Sequence, residues 1–337
     1  MQNDVQFRYY ALYAYFRQRF GCRVQKVALD AGFSCPNRDG TISRQGCWFC
    51  GPGGSGSGLL AQGMDLRQQW DYWCERFEAR YKNCKFMAYL QSYSNTHGPL
   101  EKVEATLRTI SELPQCAGLS LGTRPDCLEG GRLELLKKYS VGETWLELGL
   151  QTVNEATLAR INRGHGVDVF ARACHDAAAF GLKVCAHVIF GLPGDGYDDA
   201  MRTIEFVNGL PVHGIKFHNL FVCKGSVLAR EWESGRYEPL DREVYINTLL
   251  DGLERLRPDI VVQRLSGDAM EDELLAPEWA RDKGALLGRI RDELKRRDMW
   301  QGRLCCGQGN RVEAAMPEWF AASGRLPEVQ NGRGIGL

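Results

Sequence analysis

Residues 144–151 read TWLELGLQ. With the two-residue period of a strand, Trp145, Glu147, Gly149 and Gln151 share one side, and Leu146, Leu148 and Leu150 share the other. A parallel strand buried on both faces is normally apolar on both. This one offers a carboxylate and an amide, so the economical reading puts its leucines under helices and its polar side in a lumen that takes a ligand. The segment GIKFHNL repeats the pattern, with Lys216 and His218 on one side and Ile215 and Phe217 on the other. The competing reading is an ion-pair network that fills a closed barrel.

Outward from that strand, apolar β-type runs recur at 85–91, 117–123, 182–190 and 214–221, with a further run at 259–265. Helical patterns lie between them at 99–112, 129–139, 154–180 (broken near Gly164) and 197–209. Strands joined by helical connections of this length predict right-handed βαβ units and a parallel sheet. The number of units predicts an α/β barrel, or most of one. After about residue 235 the alternation fades. Helices near 240–256 and 281–299 and a Gly- and Pro-rich tail predict an extension, residues 236–337, packed on a core of residues 1–235.

The composition suits a globular enzyme, with 44% hydrophobic and 25% charged residues in 337. Lys+Arg and Asp+Glu both number 42, so a nucleic-acid partner would need a local basic patch. The first twenty residues are charged throughout and contain no signal-peptide apolar run, and no later stretch is long enough for a membrane span. The chain reads as cytoplasmic, without a membrane partner. Its 13 cysteines are then not a disulfide framework. Cys84, Cys116, Cys174 and Cys185 sit among apolar neighbours and read as small core residues.

The exception is SCPNRDGTISRQGCWFC, residues 34–50, which gathers Cys35, Cys47 and Cys50. A structural zinc ion wants four ligands in a tetrahedron, and only His97 or the distant Cys305-Cys306 pair is available to complete the set. A disulfide would leave one thiol over. An iron–sulfur cluster held by three thiolates leaves one iron open to a substrate or cosubstrate, whereas a pure electron carrier is usually held by four.

The Cys-x11-Cys-x2-Cys spacing, with CPNRDGT around the first thiol, resembles the radical S-adenosylmethionine (SAM) proteins of the YhcC-like family, whose cores are similar to that of the Elongator catalytic subunit. The resemblance runs nearly end to end through QSYSNT, LGTRPDCL, WLELGLQT, RINRGH, HVIFGLPGD, GIKFHNL, RLSGDA and RRDMWQG, in family order. It implies a partial (β/α)6 TIM-type barrel of the radical SAM class with a C-terminal helical extension. It also implies a [4Fe–4S] cluster on Cys35, Cys47 and Cys50, and reductive cleavage of SAM to methionine and a 5′-deoxyadenosyl radical that modifies a substrate. An electron donor such as flavodoxin or ferredoxin follows from the need for reduction.

Carried over by position, Phe49 packs near the adenine and Glu147 bonds the ribose hydroxyls, with Gln151 on the same lumenal side. Thr123 and Arg124 meet the SAM carboxylate, and the backbone from Gly191 lies along the adenine. Relatives hold the SAM amino group with a Gly-Gly-Glu loop. This chain has SYSNT there, so Ser94 and Asn95 are the expected donors. His187, Lys216, His218 and Arg264 are the candidate substrate contacts; Lys216 and Arg264 suit an anionic group.

The resemblance to Elongator implies a tRNA wobble uridine as substrate. The local support is the helix 281–303, with Arg296, Arg297 and Arg303 available to phosphates and a solvated face as the plainer alternative. Other readings are a small-molecule or peptide substrate, and a zinc-binding RNA-interaction module without radical chemistry. Gly56-x-Gly58-x-x-Ala61 matches a dinucleotide fingerprint formally, but it follows the cysteines rather than a strand and reads as a loop beside the cluster.

Overall fold

The structure is a computed structural model and describes residues 8–51, 58–268 and 272–305. Helix α1 (Leu12–Phe20) leads into β1 (Arg23–Leu29), α2 (Leu66–Arg80) into β2 (Cys84–Leu90), and α3 (Leu100–Ser111) into β3 (Cys116–Thr123). Next come α4 (Arg132–Lys138), β4 (Glu143–Gln151), α5 (Glu155–Arg160), α6 (Val167–Ala179) and β5 (Lys183–Phe190). Then follow α7 (Tyr197–Asn208), β6 (Gly214–Asn219), β7 (Val222–Cys223), α8 (Val227–Glu233) and α9 (Arg242–Arg255). The last elements are β8 (Val261–Arg264), β9 (Leu274–Ala276) and α10 (Lys283–Arg296).

Strands β1 to β6 and β8 form one seven-stranded parallel sheet in chain order, curled into a half-barrel. Its two edges, β1 and β8, face each other across the lumen, because Lys26 Nζ on β1 donates to Gln263 Oε1 on β8 at 2.9 Å. Helix α1 packs against both edges, and Ala11 bridges to Val262 just before it. The partial barrel expected from the strand pattern is therefore present, and its last strand comes from beyond residue 235. Strand β1 was missing from the expectation. Its RVQKVAL carries Gln25 and Lys26 in mid-strand, which hides the apolar period. Helix α2 was missing too, although Asp65 and Gln68 form a reciprocal capping box at its start, a pattern readable in sequence.

The two sides of β4 separate as their chemistry requires. Leu146, Leu148 and Leu150 are fully buried in the main core, together with Phe170 and Ala173 of α6. At roughly 2 kcal/mol per buried leucine, this outer side anchors the strand and leaves the inner side free for polar residues. Beneath the lumen, Phe16, Met87, Trp145, Cys185 and Val261 form an apolar plug. No described helix is long and apolar enough to cross a membrane. Cys306, the tail after it and residues 52–57 of the glycine-rich loop lie outside the described residues.

Candidate active site

The three cysteines sit on the loop after β1. Its turns are closed by Arg38 N–H and Asp39 N–H donating to Cys35 O, and by Cys50 N–H donating to Cys47 O at 3.0 Å. The loop is clamped by the segment after α5. Trp48 N–H donates to Ile161 O at 3.0 Å, and Asn162 Nδ2 donates to Gly46 O at 2.8 Å. Asn37 Nδ2 returns a bond to Asn162 O. Arg163 then reaches under the loop, with Nη2 on Gly149 O at 2.8 Å and Nη1 3.7 Å from Cys47 Sγ. Gly149 makes this possible: a Cβ there would lie 2.5 Å from Arg163 Nη2 and 2.4 Å from Gln151 Nε2.

Cys35, Cys47 and Cys50 border a cavity of ≈ 240 Å³ at the C-terminal ends of the strands. The Cys50 thiol donates to Cys47, and the guanidiniums of Arg163 and Arg124 stand nearby, so the Cys47 thiol titrates well below its usual range. Burial pushes Cys35 up. Among the described residues, no three His, Cys, Asp or Glu side chains converge closely enough to share a single metal ion. Three thiolates at one rim leave one iron of a cube open, whereas a structural zinc draws four ligands to one point. His97 and Cys305, weighed as fourth zinc ligands, do not line this cavity. His97 is held by Asp39 at 2.6 Å instead.

The other expected SAM contacts divide. Phe49, Thr123, Arg124 and Gln151 line the cavity. Arg124 is buried; it grips Asp126 with two bonds of 2.9 and 2.7 Å and donates to Arg163 O at 2.8 Å. Ser94 and Asn95 do not line the cavity. Ser94 Oγ bonds Thr123 Oγ1 at 2.8 Å and accepts from Arg124 N–H, while Asn95 Nδ2 donates to Gly122 O at 2.8 Å. Both tie the loop after β2 to β3, and Gln91 and Tyr93 face the cavity in their place. Tyr93 has φ of 57°, a left-handed backbone rare for an aromatic residue. Gly191 is also not at the cavity: its carbonyl accepts from Tyr237 OH at 2.9 Å, and Leu240 packs against its Cα.

Glu147 lies in the lumen as its strand phase predicts, but its oxygens are taken. Oε1 accepts from Lys26 Nζ at 2.7 Å and from Ser120 Oγ, and Oε2 accepts from His187 Nε2 at 3.0 Å and from Lys216 Nζ. Four donors fill the lone pairs of a carboxylate, which leaves none for ribose hydroxyls. The ion-pair reading is the one realised at this residue. Burial pushes the Glu147 pKa up, but Lys216 and then Lys26 outweigh burial and hold the carboxyl well below its usual range. Lys216 is committed to Glu147 and to Tyr89 OH at 3.1 Å, so it is not free for substrate.

His187, His218 and Arg264 line the cavity. The two imidazoles lie 5.2 Å apart, and burial drives the pKa of His187 down to about 4. Arg264 is brought there by a register break. Ile215 pairs with Val262 but Lys216 with Arg264, so Gln263 is an extra residue and Arg264 turns inward beside it. Residues that sequence reasoning passed over include Asn37, Gln91, Tyr93 and Arg163. The signal for Arg163 was present, since it falls in the quoted RINRGH.

Two family models match the chain: the Radical SAM superfamily over residues 39–207 and the Radical SAM C-terminal domain over residues 212–296. The chain is 39% identical over 272 residues to protein YhcC of Escherichia coli (strain K12), covering 79% of this chain and 85% of that one. It is 30% identical over 166 residues to a tRNA uridine(34) acetyltransferase of Dehalococcoides mccartyi, covering 48% and 36% respectively. The fold matches archaeal Methanocaldococcus infernus Elp3 with a TM-score of 0.66 at 17% identity, over 84% of this chain and 65% of that one.

Proposed function

The chain belongs to the radical SAM superfamily, and from that premise we propose that Cys35, Cys47 and Cys50 hold its [4Fe–4S] cluster at the rim of the lumen. The protein is a radical SAM enzyme whose cofactors are that cluster and SAM. The observation that carries the assignment is that the three thiols border one cavity while, among the described residues, the alternative fourth ligands His97 and Cys305 stay outside it. Bound there, the cofactors supply reductive cleavage of a sulfonium carbon–sulfur bond, which yields a carbon radical able to abstract hydrogen.

The chain's own residues confine that chemistry. Arg163 and the Asn37–Asn162 clamp hold the thiols in place. Gln91, Thr123 and Gln151 offer polar groups to SAM from the ends of β2, β3 and β4, and Phe49 offers a ring to the adenine. The apolar plug and the Glu147 ion pairs close the lumen below, which keeps water from a reactive intermediate. A reductant is required, and a flavodoxin or ferredoxin fits the role.

For the substrate, the reading is a tRNA wobble uridine. Its support is the likeness to the tRNA uridine(34) acetyltransferase over about half of this chain. The arginines expected to meet phosphates do not add to it: Arg296 and Arg297 both pair with Glu293, and Arg303 with Glu254. Anaerobic reconstitution tests the cluster assignment, with stoichiometric iron and sulfide and dithionite-dependent release of 5′-deoxyadenosine expected. A colourless protein holding zinc would overturn it. Loss of any of the three thiols, as in Cys35→Ala, is expected to abolish release. Nucleoside mass spectrometry of tRNA from a deletion strain tests the substrate, and an unchanged profile would remove tRNA.

A further inference from the structure

In the lumen, two cations twice share one carboxylate. Lys26 and Lys216 share Glu147, and Arg264 and Lys283 share Asp268. The first set is closed, because the four donors on Glu147 meet directly and Lys216 is buried. The second is open. Lys283 Nζ holds Asp268 Oδ1, whereas Arg264 Nη2 stands 3.4 Å from Asp268 Oδ2, an oxygen that has no hydrogen-bond partner among the described residues. Arg264 thus shares one carboxylate with Lys283, keeps only a long contact to it, and lines the cavity. On β6, the neighbouring strand, His218 Nε2 is buried, also without a hydrogen-bond partner among the described residues, and its ring lines the same cavity.

We propose that Arg264 and His218 form a subsite for an oxyanion on the substrate, a carboxylate or a phosphate ester. The proposal rests on the cavity being the reaction chamber described above, and it assigns a chemical class to what enters. A guanidinium with free donors suits a planar or tetrahedral anion because two parallel N–H groups meet two oxygens. A buried imidazole nitrogen lacking a partner is costly until a ligand satisfies it. The β8 bulge is the backbone feature that delivers the group: in unbroken register Gln263 would pair with Lys216, and Arg264 would follow the strand period out of the lumen. A cationic ligand would instead face the guanidiniums of Arg264, Arg163 and Arg124, which line the same cavity, across a low-dielectric space.

His187 and His218 are both neutral near pH 7, since burial depresses them first and the positive charges of Lys216 and Arg264 depress them further. His218 therefore acts as a neutral donor beside Arg264, and Arg264 supplies the charge. Lys216, taken at first as an anion contact, holds Glu147 instead.

The test is ligand-observed NMR on the SAM-loaded holoenzyme at fixed ionic strength. Acetate methyl relaxation reports a carboxylate site, and the phosphorus linewidth of inorganic phosphate reports a phosphate site. Saturable broadening of at least one probe is expected in the wild type, with affinity lost about tenfold or more in Arg264→Gln and partly kept in Arg264→Lys. The exposed Arg172, paired with Asp168 on α6, provides a control whose replacement leaves broadening unchanged. No saturable broadening by either anion, or equal broadening in Arg264→Gln, overturns the proposal. So does a matching tenfold loss of SAM affinity in Arg264→Gln, which would put the arginine on SAM itself. Iron and sulfide analysis of the same samples separates the two readings. Protein without a cluster that still broadens the probe through Arg264 sinks the cluster assignment alone, and loaded protein without broadening sinks the subsite alone.

Discussion

Replacing Glu147 by Gln keeps the side-chain shape and removes the charge on which two buried ammonium groups depend. The loss falls unequally. Lys26 keeps Ser120 Oγ and Gln263 Oε1, each at 2.9 Å, whereas Lys216 keeps only Tyr89 OH at 3.1 Å of its described partners. The Lys216 side chain is 4% exposed, so water does not replace the carboxylate. Stranding one member of a buried pair costs about 3–5 kcal/mol, against a whole-fold stability on the order of 5–15 kcal/mol. Glu147→Gln should therefore lose about a fifth or more of the stability. Adding Lys216→Met removes the stranded ammonium with a chain of similar length, and the double variant should recover about 2 kcal/mol or more of that loss.

The assay is equilibrium urea denaturation followed by tryptophan fluorescence, with Trp145, 1% exposed in the plug, as an internal reporter. Because the Glu147 pKa is depressed, its contribution is complete above the unfolded carboxyl value, roughly 4.3, and is lost as pH falls through the folded value. The variant and wild type should differ fully at pH 7 and converge in strong acid. A loss under about 1 kcal/mol at pH 7, or a double variant no more stable than Glu147→Gln, would refute the account of the lumen as a charge-balanced layer.

Gly149→Ala puts a methyl group 2.5 Å from Arg163 Nη2 and should shift the guanidinium off Cys47, so iron content after reconstitution should fall well below that of wild type. Full loading would show that Arg163 is dispensable to the thiol loop. Ser94→Ala should cost about 1 kcal/mol of stability, through its lost bonds to Thr123 and Arg124, and leave SAM affinity within a few-fold by equilibrium dialysis. A tenfold loss would return Ser94 to the cofactor. His187 is depressed to about 4 by burial, so between roughly pH 6.5 and that value the unfolded chain binds a proton that the folded chain refuses. Stability should fall with decreasing pH across that window by up to about 1.4 kcal/mol per unit, and His187→Gln should flatten the slope of urea midpoint against pH.

How much of this was legible in the chain follows from the range of each interaction. Periodicity is local, so the alternating faces of β4 and β6, the helices between strands and the half-barrel could all be read from residues two to four apart. The thiol trio was equally plain, because Cys35, Cys47 and Cys50 lie within one loop. Strand β1 escaped because its lumenal lysine breaks the apolar pattern, and that lysine is explained by partners on β3, β4 and β8.

Roles decided by distant partners were out of reach. Nothing local marks Glu147 as saturated, since its four donors come from β1, β3, β5 and β6. Ser94 and Asn95 looked like cofactor donors until β3 took their hydrogen bonds, and Arg303 looked available to phosphates until Glu254, distant in sequence, paired with it. Arg264 owes its inward aim to a bulge that exists only where β8 meets β6. A chain can display its residue types and their spacing in one dimension, but whether a polar group is spent or available depends on what folding brings beside it.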